Sequence, residues 1–117
     1  MKVKDIINTE LVGISGVEVF TTYGGEYADI GKADFHNTIE DEVQEAEVIS
    51  MQMNSDNRLV LEVRPVYEWW VELREGNELW QSDDFFCRAD AEYQVKCMIE
   101  EDGYKAKQLK IKRRKIQ

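Results

Sequence analysis

Apolar side chains along this chain follow two periods, and the switches between them mark out the elements. In residues 46–64, Ile49, Met51 and Met53 share one parity and Leu59, Leu61 and Val63 share another run of it, separated by Asn54-Ser55-Asp56-Asn57. Successive side chains of a strand point to opposite faces, so residues 46–53 and 58–64 read as a hairpin with one apolar face. The odd-numbered pattern continues past Pro65 through Tyr67, Trp69, Val71 and Leu73, while Glu62, Arg64, Glu68, Glu72 and Arg74 keep the other face polar. The sixteen residues 58–73 would span about 50 Å at roughly 3.3 Å each, too long for a domain of this size. A bend is expected at Pro65, which cannot donate to a strand ladder.

The flanking segments complete the pattern. Val3, Ile6, Ile7 and Leu11 have near-helical spacing with Gly13 as a stop, predicting a short helix over 3–11. Residues 17–22 read as a strand, Tyr23-Gly24-Gly25 as a turn, and 26–35 as the hairpin partner, with Gly31 marking a bulge. Ile39, Val43 and Ala46 predict a helical turn within 37–47. After Glu75-Gly76-Asn77, residues 78–87 return against 66–73. A main helix follows over about 89–102, with Ala91, Val95, Met98 and Ile99 on one face, acids at its start and Gly103 at its end. Residues 104–112 form a last strand.

The predicted fold class is α+β, a bent antiparallel sheet with one main helix and a short N-terminal helix. Its expected core holds Ile49, Met51, Leu59, Leu61, Val63, Trp69, Val71, Val95 and Ile99. The expected organisation is a single domain over 1–117, in which two packed halves, about 1–65 and 66–117, share a strand bent at Pro65. Neither half is long enough to bury much surface alone.

Charge changes the picture. Of the 117 residues 24 are acidic and 15 basic, a net charge of −9. All 24 acids lie in residues 1–102 against eight basic residues, a surplus of 16, whereas 103–117 holds seven basic residues and no acid. The summed field of such a body repels phosphates and attracts basic surfaces. Its densest acidic stretch is Glu40, Asp41, Glu42, Glu45 and Glu47. The basic segment Lys110, Lys112, Arg113, Arg114 and Lys115 is either a strand that neutralises the body or an arm for nucleic acid or an acidic partner. Val66, Trp70 and Trp80 interrupt the polar face of the long strand and its neighbour, forming either an aromatic contact patch or core beneath the helix.

Candidate chemistry is sparse. Cys87 and Cys97 lack CxxC spacing and read as reduced, small buried side chains, and the single His36 reads as a loop residue. There is no phosphate-binding glycine motif and no GxSxG elbow. Asp56 with Glu62-Val63-Arg64 parallels a D…ExK nuclease pattern, but Arg64 opposes a metal and cannot act as a base. Asp83-Asp84 and Glu100-Glu101-Asp102 read as solvated surface acids. The expectation is a protein with no catalytic residues, no metal and no cofactor. No apolar run exceeds three residues, far short of a bilayer span, and MKVKDIINTE has neither an apolar h-region nor a cleavage site, so the expected address is the cytoplasm.

The opening MKVKDIINTE and the hairpin VISMQMNSDNRLVLEV, covering about residues 1–63, resemble small uncharacterised acidic proteins of Gram-positive phages and mobile elements. WWVELREGNELWQSDDFF with its following helix is similar to β-β-α units of such proteins. Anti-CRISPR-like inhibitors are among them. The resemblance implies a small inhibitor of host defence and carries no residue roles. Three functions follow as expectations: a non-catalytic interaction protein whose acidic surface engages a basic, nucleic-acid-binding protein partner; a homodimer or scaffold component using Val66, Trp70 and Trp80; or direct nucleic-acid binding through the basic segment.

Overall fold

The structure, a computed structural model, describes residues 1–8, 13–34 and 37–116. It is an α+β fold whose chain divides into two compact units, Met1–Val66 and Tyr67–Ile116. Among the described residues no helix is long and apolar enough to cross a membrane.

The first unit contains α1 (Val3–Ile7), β1 (Gly16–Thr21), β2 (Ala28–Ala33), α2 (Asp41–Gln44), β3 (Glu47–Met53) and β4 (Arg58–Arg64). Its sheet has the order β2-β1-β4-β3. Two antiparallel hairpins, β1–β2 and β3–β4, are joined through their inner strands, and that joint is parallel, with Val17 beside Leu59 and Val19 beside Leu61. Val17, Val19, Leu61 and Val63 are buried, together with Val3, Ile6, Ile30, Ile39, Val43 and Ala46. The bulge expected at Gly31 is present: Val19 pairs with Gly31 and Phe20 with Asp29, leaving Ile30 as the extra residue. A side chain at Gly31 would meet Ile39 at 3.3 Å, so the missing Cβ lets the segment before α2 press onto β2. The expected helix reaches only Ile7; Leu11, and Phe35 and His36 at the end of the expected second strand, lie outside the described residues.

The hairpin β3–β4 corrects the expected core. Leu61 and Val63 are buried and Leu59 is half-buried, but Ile49, Met51 and Met53 are 58%, 51% and 48% exposed. Val48 pairs with Val63 and Ser50 with Glu62, so Ile49 is the extra residue of a bulge, outside the alternation it was assigned to. Met51 and Met53 do stand opposite Leu61 and Leu59. Both lie on an outermost strand of the sheet, but that position alone does not expose a side chain, since Ile30 of the other outermost strand, β2, is buried.

The second unit contains β5 (Tyr67–Glu75), β6 (Glu78–Gln81), α3 (Arg88–Glu100) and β7 (Leu109–Lys115), in a sheet of order β6-β5-β7 with both pairings antiparallel. Trp69, Val71, Leu73, Ala91, Met98 and Leu109 form its core, with Tyr67, Phe85, Val95 and Tyr104 packed against them. Trp69 is 6% exposed and Trp70 half-buried, the predicted parity. Ile99 is 37% exposed, a correction: Ala91, Val95 and Met98 follow the i, i+4, i+7 stripe, and the next residue turns about 100° away from it. The return strand is shorter than expected. Beyond Gln81, Ser82 and Phe85 still bond the backbone of β5, at Val71 and Trp69. Gly103 adopts φ +76°, and Tyr104 N donates to Met98 O, which ends the helix. The last strand begins at Leu109, later than predicted, because 104–108 turns the chain first.

Candidate functional site

The acidic stretch is not a bare row of carboxylates. Glu45, just after α2, accepts from Lys2 Nζ and Lys4 Nζ, each at 3.1 Å, and Glu47 meets the Met1 amino group at 3.1 Å. Hydrogen bonds to Lys4 and Lys2 hold the Glu45 carboxyl below its ordinary range, and Glu45 raises Lys2 in turn. Two of the five acids therefore anchor the start of the chain. Glu40, Asp41 and Glu42 lie at the first turn of α2.

The structure does not bring the two tryptophans of the expected patch together. Val66 belongs to the first unit and both tryptophans to the second. Trp70 stands opposite Lys112 on the face of β5 that carries Glu68 and Glu72, and its Nε1 donates to Glu72 Oε2 at 3.3 Å. Trp80 stands opposite Leu73, on the face covered by α3. The two indoles occupy opposite faces of the sheet.

The basic segment is a paired strand. Lys110, Lys112 and Arg114 stand opposite Glu72, Trp70 and Glu68, and Arg114 forms an ion pair with the buried Glu68 carboxylate. Arg113 lies over the rings of Tyr67 and Trp69, 4.6 and 5.4 Å from their centroids, and Arg88 covers Trp69 at 5.3 Å. Lys115 pairs with Tyr67. Burial and the charge of Glu68 push the Asp84 carboxyl up, opposed by Arg114.

A groove of about 290 Å³ opens in the second unit, lined by Leu73, Glu75, Glu78, Trp80, Gln94, Met98, Asp102 and Tyr104. Trp80, 49% exposed, and Tyr104 supply aromatic surface, with Leu73 and Met98 as its apolar floor. Glu75 and Asp102 push the Tyr104 phenol above its ordinary range, chiefly through the charge of Glu75. Two turns build the wall. Gly76, at φ +58°, turns β5 into β6 and brings Glu75 opposite Glu78, while Gly103 stops α3 between Asp102 and Tyr104. Of the candidate residues read from sequence only Trp80 belongs here. Acids flanking two glycine turns, 27 residues apart, were the available signal.

Three carboxylates beside an indole and a phenol suit an organic cation with an apolar stem, because the rings attract the cation and accept the stem. Among the described residues no group of His, Cys, Asp or Glu is arranged to hold a metal ion. Comparison with family models, with curated proteins and with solved structures finds no match.

Proposed function

We propose that the chain is a non-catalytic interaction protein that engages a basic protein partner, with the groove of the second unit receiving a lysine or arginine side chain. The groove supports this: it joins Glu75, Glu78 and Asp102 to Trp80 and Tyr104 in a chain of net charge −9. The surrounding acids would steer the partner, and the aromatic walls would hold the side chain once it arrives. The sequence resemblance suggests the context: an inhibitor carried by a phage or mobile element, directed at a nucleic-acid-binding protein and acting in the cytoplasm. Nucleic-acid binding through the basic segment has less support, since Arg114 is paired with Glu68 and Arg113 lies on aromatic rings.

Calorimetric titration with short lysine-rich and arginine-rich peptides tests the proposal. Saturable binding is expected to weaken as salt screens the carboxylates. Trp80→Ala should weaken it about threefold to tenfold, the range of a partly desolvated cation–aromatic contact. Neutralising Glu75, Glu78 and Asp102 together should flatten the salt dependence, and neutralising Glu40, Asp41 and Glu42 should do less. Parent-level affinity in Trp80→Ala would remove the groove from the interaction.

A further inference from the structure

The outer edge of β3 carries a second, independent surface. Among the described residues the amino-terminal segment reaches that edge at its start: Val48 N donates to Met1 O at 2.8 Å, and Lys2 bridges Glu47. Further along, Asn54 N donates to Arg58 O at 2.9 Å, so this amide points toward β4. Amides alternate along an antiparallel strand, so those of Met51 and Met53 point the other way. No strand among the described residues lies beyond them.

Exposed edges are ordinarily protected from pairing by charge, by proline or by a bulge. Residues 48–55 hold neither a charge nor a proline, and these eight form the longest uncharged run in the chain. The bulge at Ile49 closes one end and leaves a regular stretch from Ser50 to Asn54. Its apolar side chains, Met51 and Met53, are half exposed on the same face as Leu61 and Leu59.

We propose that this edge pairs with a second copy of the chain, antiparallel about a two-fold axis at Gln52. The register sets Met51 opposite the partner's Met53, with the outward amides and carbonyls of both residues bonding across the axis. Gln52 then meets its own equivalent on the other face. Charge selects a copy as the occupant. Each chain carries −9, and on this stretch two can meet without setting one carboxylate against another: Asp56 falls opposite Val48, and Glu47 opposite Asn57. Two methionines on each side fill the joint readily, since their unbranched side chains adapt to one another.

Sedimentation equilibrium over a range of protein and salt concentrations tests this. A monomer–dimer equilibrium is expected, and it should tighten as salt screens the repulsion between like chains. Peptide binding in the groove should respond to salt in the opposite direction. Met51→Lys should weaken the dimer at least tenfold while leaving the circular dichroism unchanged. In a background of Cys87→Ser and Cys97→Ser, Gln52→Cys should form a disulfide-linked dimer, because a residue on the axis faces its equivalent at about 4.5 Å between Cα atoms. Ser50→Cys, two residues off the axis, should not. A parent chain that remains monomeric throughout overturns the proposal. So does a dimer indifferent to Met51→Lys, or one in which Ser50→Cys links as fast as Gln52→Cys; a foreign strand on this edge would leave the purified chain monomeric.

Discussion

β3 and β5 carry the same written pattern and meet different fates. Ile49, Met51 and Met53 recur at every second position just as Trp69, Val71 and Leu73 do, yet the first three are exposed, Ile49 at a bulge, and the second three buried. β5 has β6 on one side, β7 on the other and α3 against its apolar face, whereas among the described strands β3 pairs only with β4. Alternation tells which side chains share a face. Whether that face is covered depends on what packs on it, which long-range contacts decide.

The widest separation between the two strands should come from truncation. Trp69→Ala removes a buried indole held under two guanidinium groups and should cost about 3–5 kcal/mol in urea denaturation. Met51→Ala should stay within about 0.5 kcal/mol, as exposed positions usually do. Equal losses at the two sites would mean that β3 is as fully covered as β5. An intermediate effect is expected on the second face of β5, where Arg114→Met leaves the buried Glu68 without its ion pair. Since Arg114 itself is largely exposed, a loss of about 1–2 kcal/mol is expected, recovered in part when Glu68→Gln is added.

Smaller effects carry a pH signature. Asp84 has a raised pKa in the fold, so its contribution is full below the unfolded value and falls away as pH rises through the folded one. Asp84→Asn should therefore stabilise modestly at neutral pH, and the gain should vanish in acid; thermal melts across pH 3–8 measure it. Glu45 behaves in the opposite sense. Its lowered pKa gives stability above the unfolded carboxylate range, lost as pH falls through the folded value. Glu45→Gln should be the mildest change of all, detectable at neutral pH and low salt and absent below the carboxylate range or in high salt, because Lys2, Lys4 and Glu45 are exposed.

Local signals carried much of the fold. The β-β-α-β order of the second unit, the end of α3 at Gly103, the turn around Val43 and the inward parity of Trp69 all follow from short-range pattern and turn chemistry. The expected patch set Trp80 beside Trp70 and missed its face, although the two-residue turn at Gly76-Asn77 sets Glu75 opposite Glu78 and so Trp80 opposite Leu73, away from Trp70. The parallel joint between β1 and β4 was not legible, since nothing local distinguishes it from an antiparallel one. The groove escaped for a related reason. Its acids come from two turns that meet only after α3 has packed back on the sheet, and each turn alone reads as solvated surface.

All three tryptophans lie in the second unit, one buried, one half-buried and one exposed, and the first unit has none. Indole emission is therefore an optical label for one unit of this protein, already in place. Heating followed by emission watches the second unit alone, while far-ultraviolet ellipticity watches both, so the gap between the two melting curves measures how far the units unfold as one. Iodide, which quenches only accessible indoles, should reach Trp80 and spare Trp69, leaving a residual emission that comes from the core.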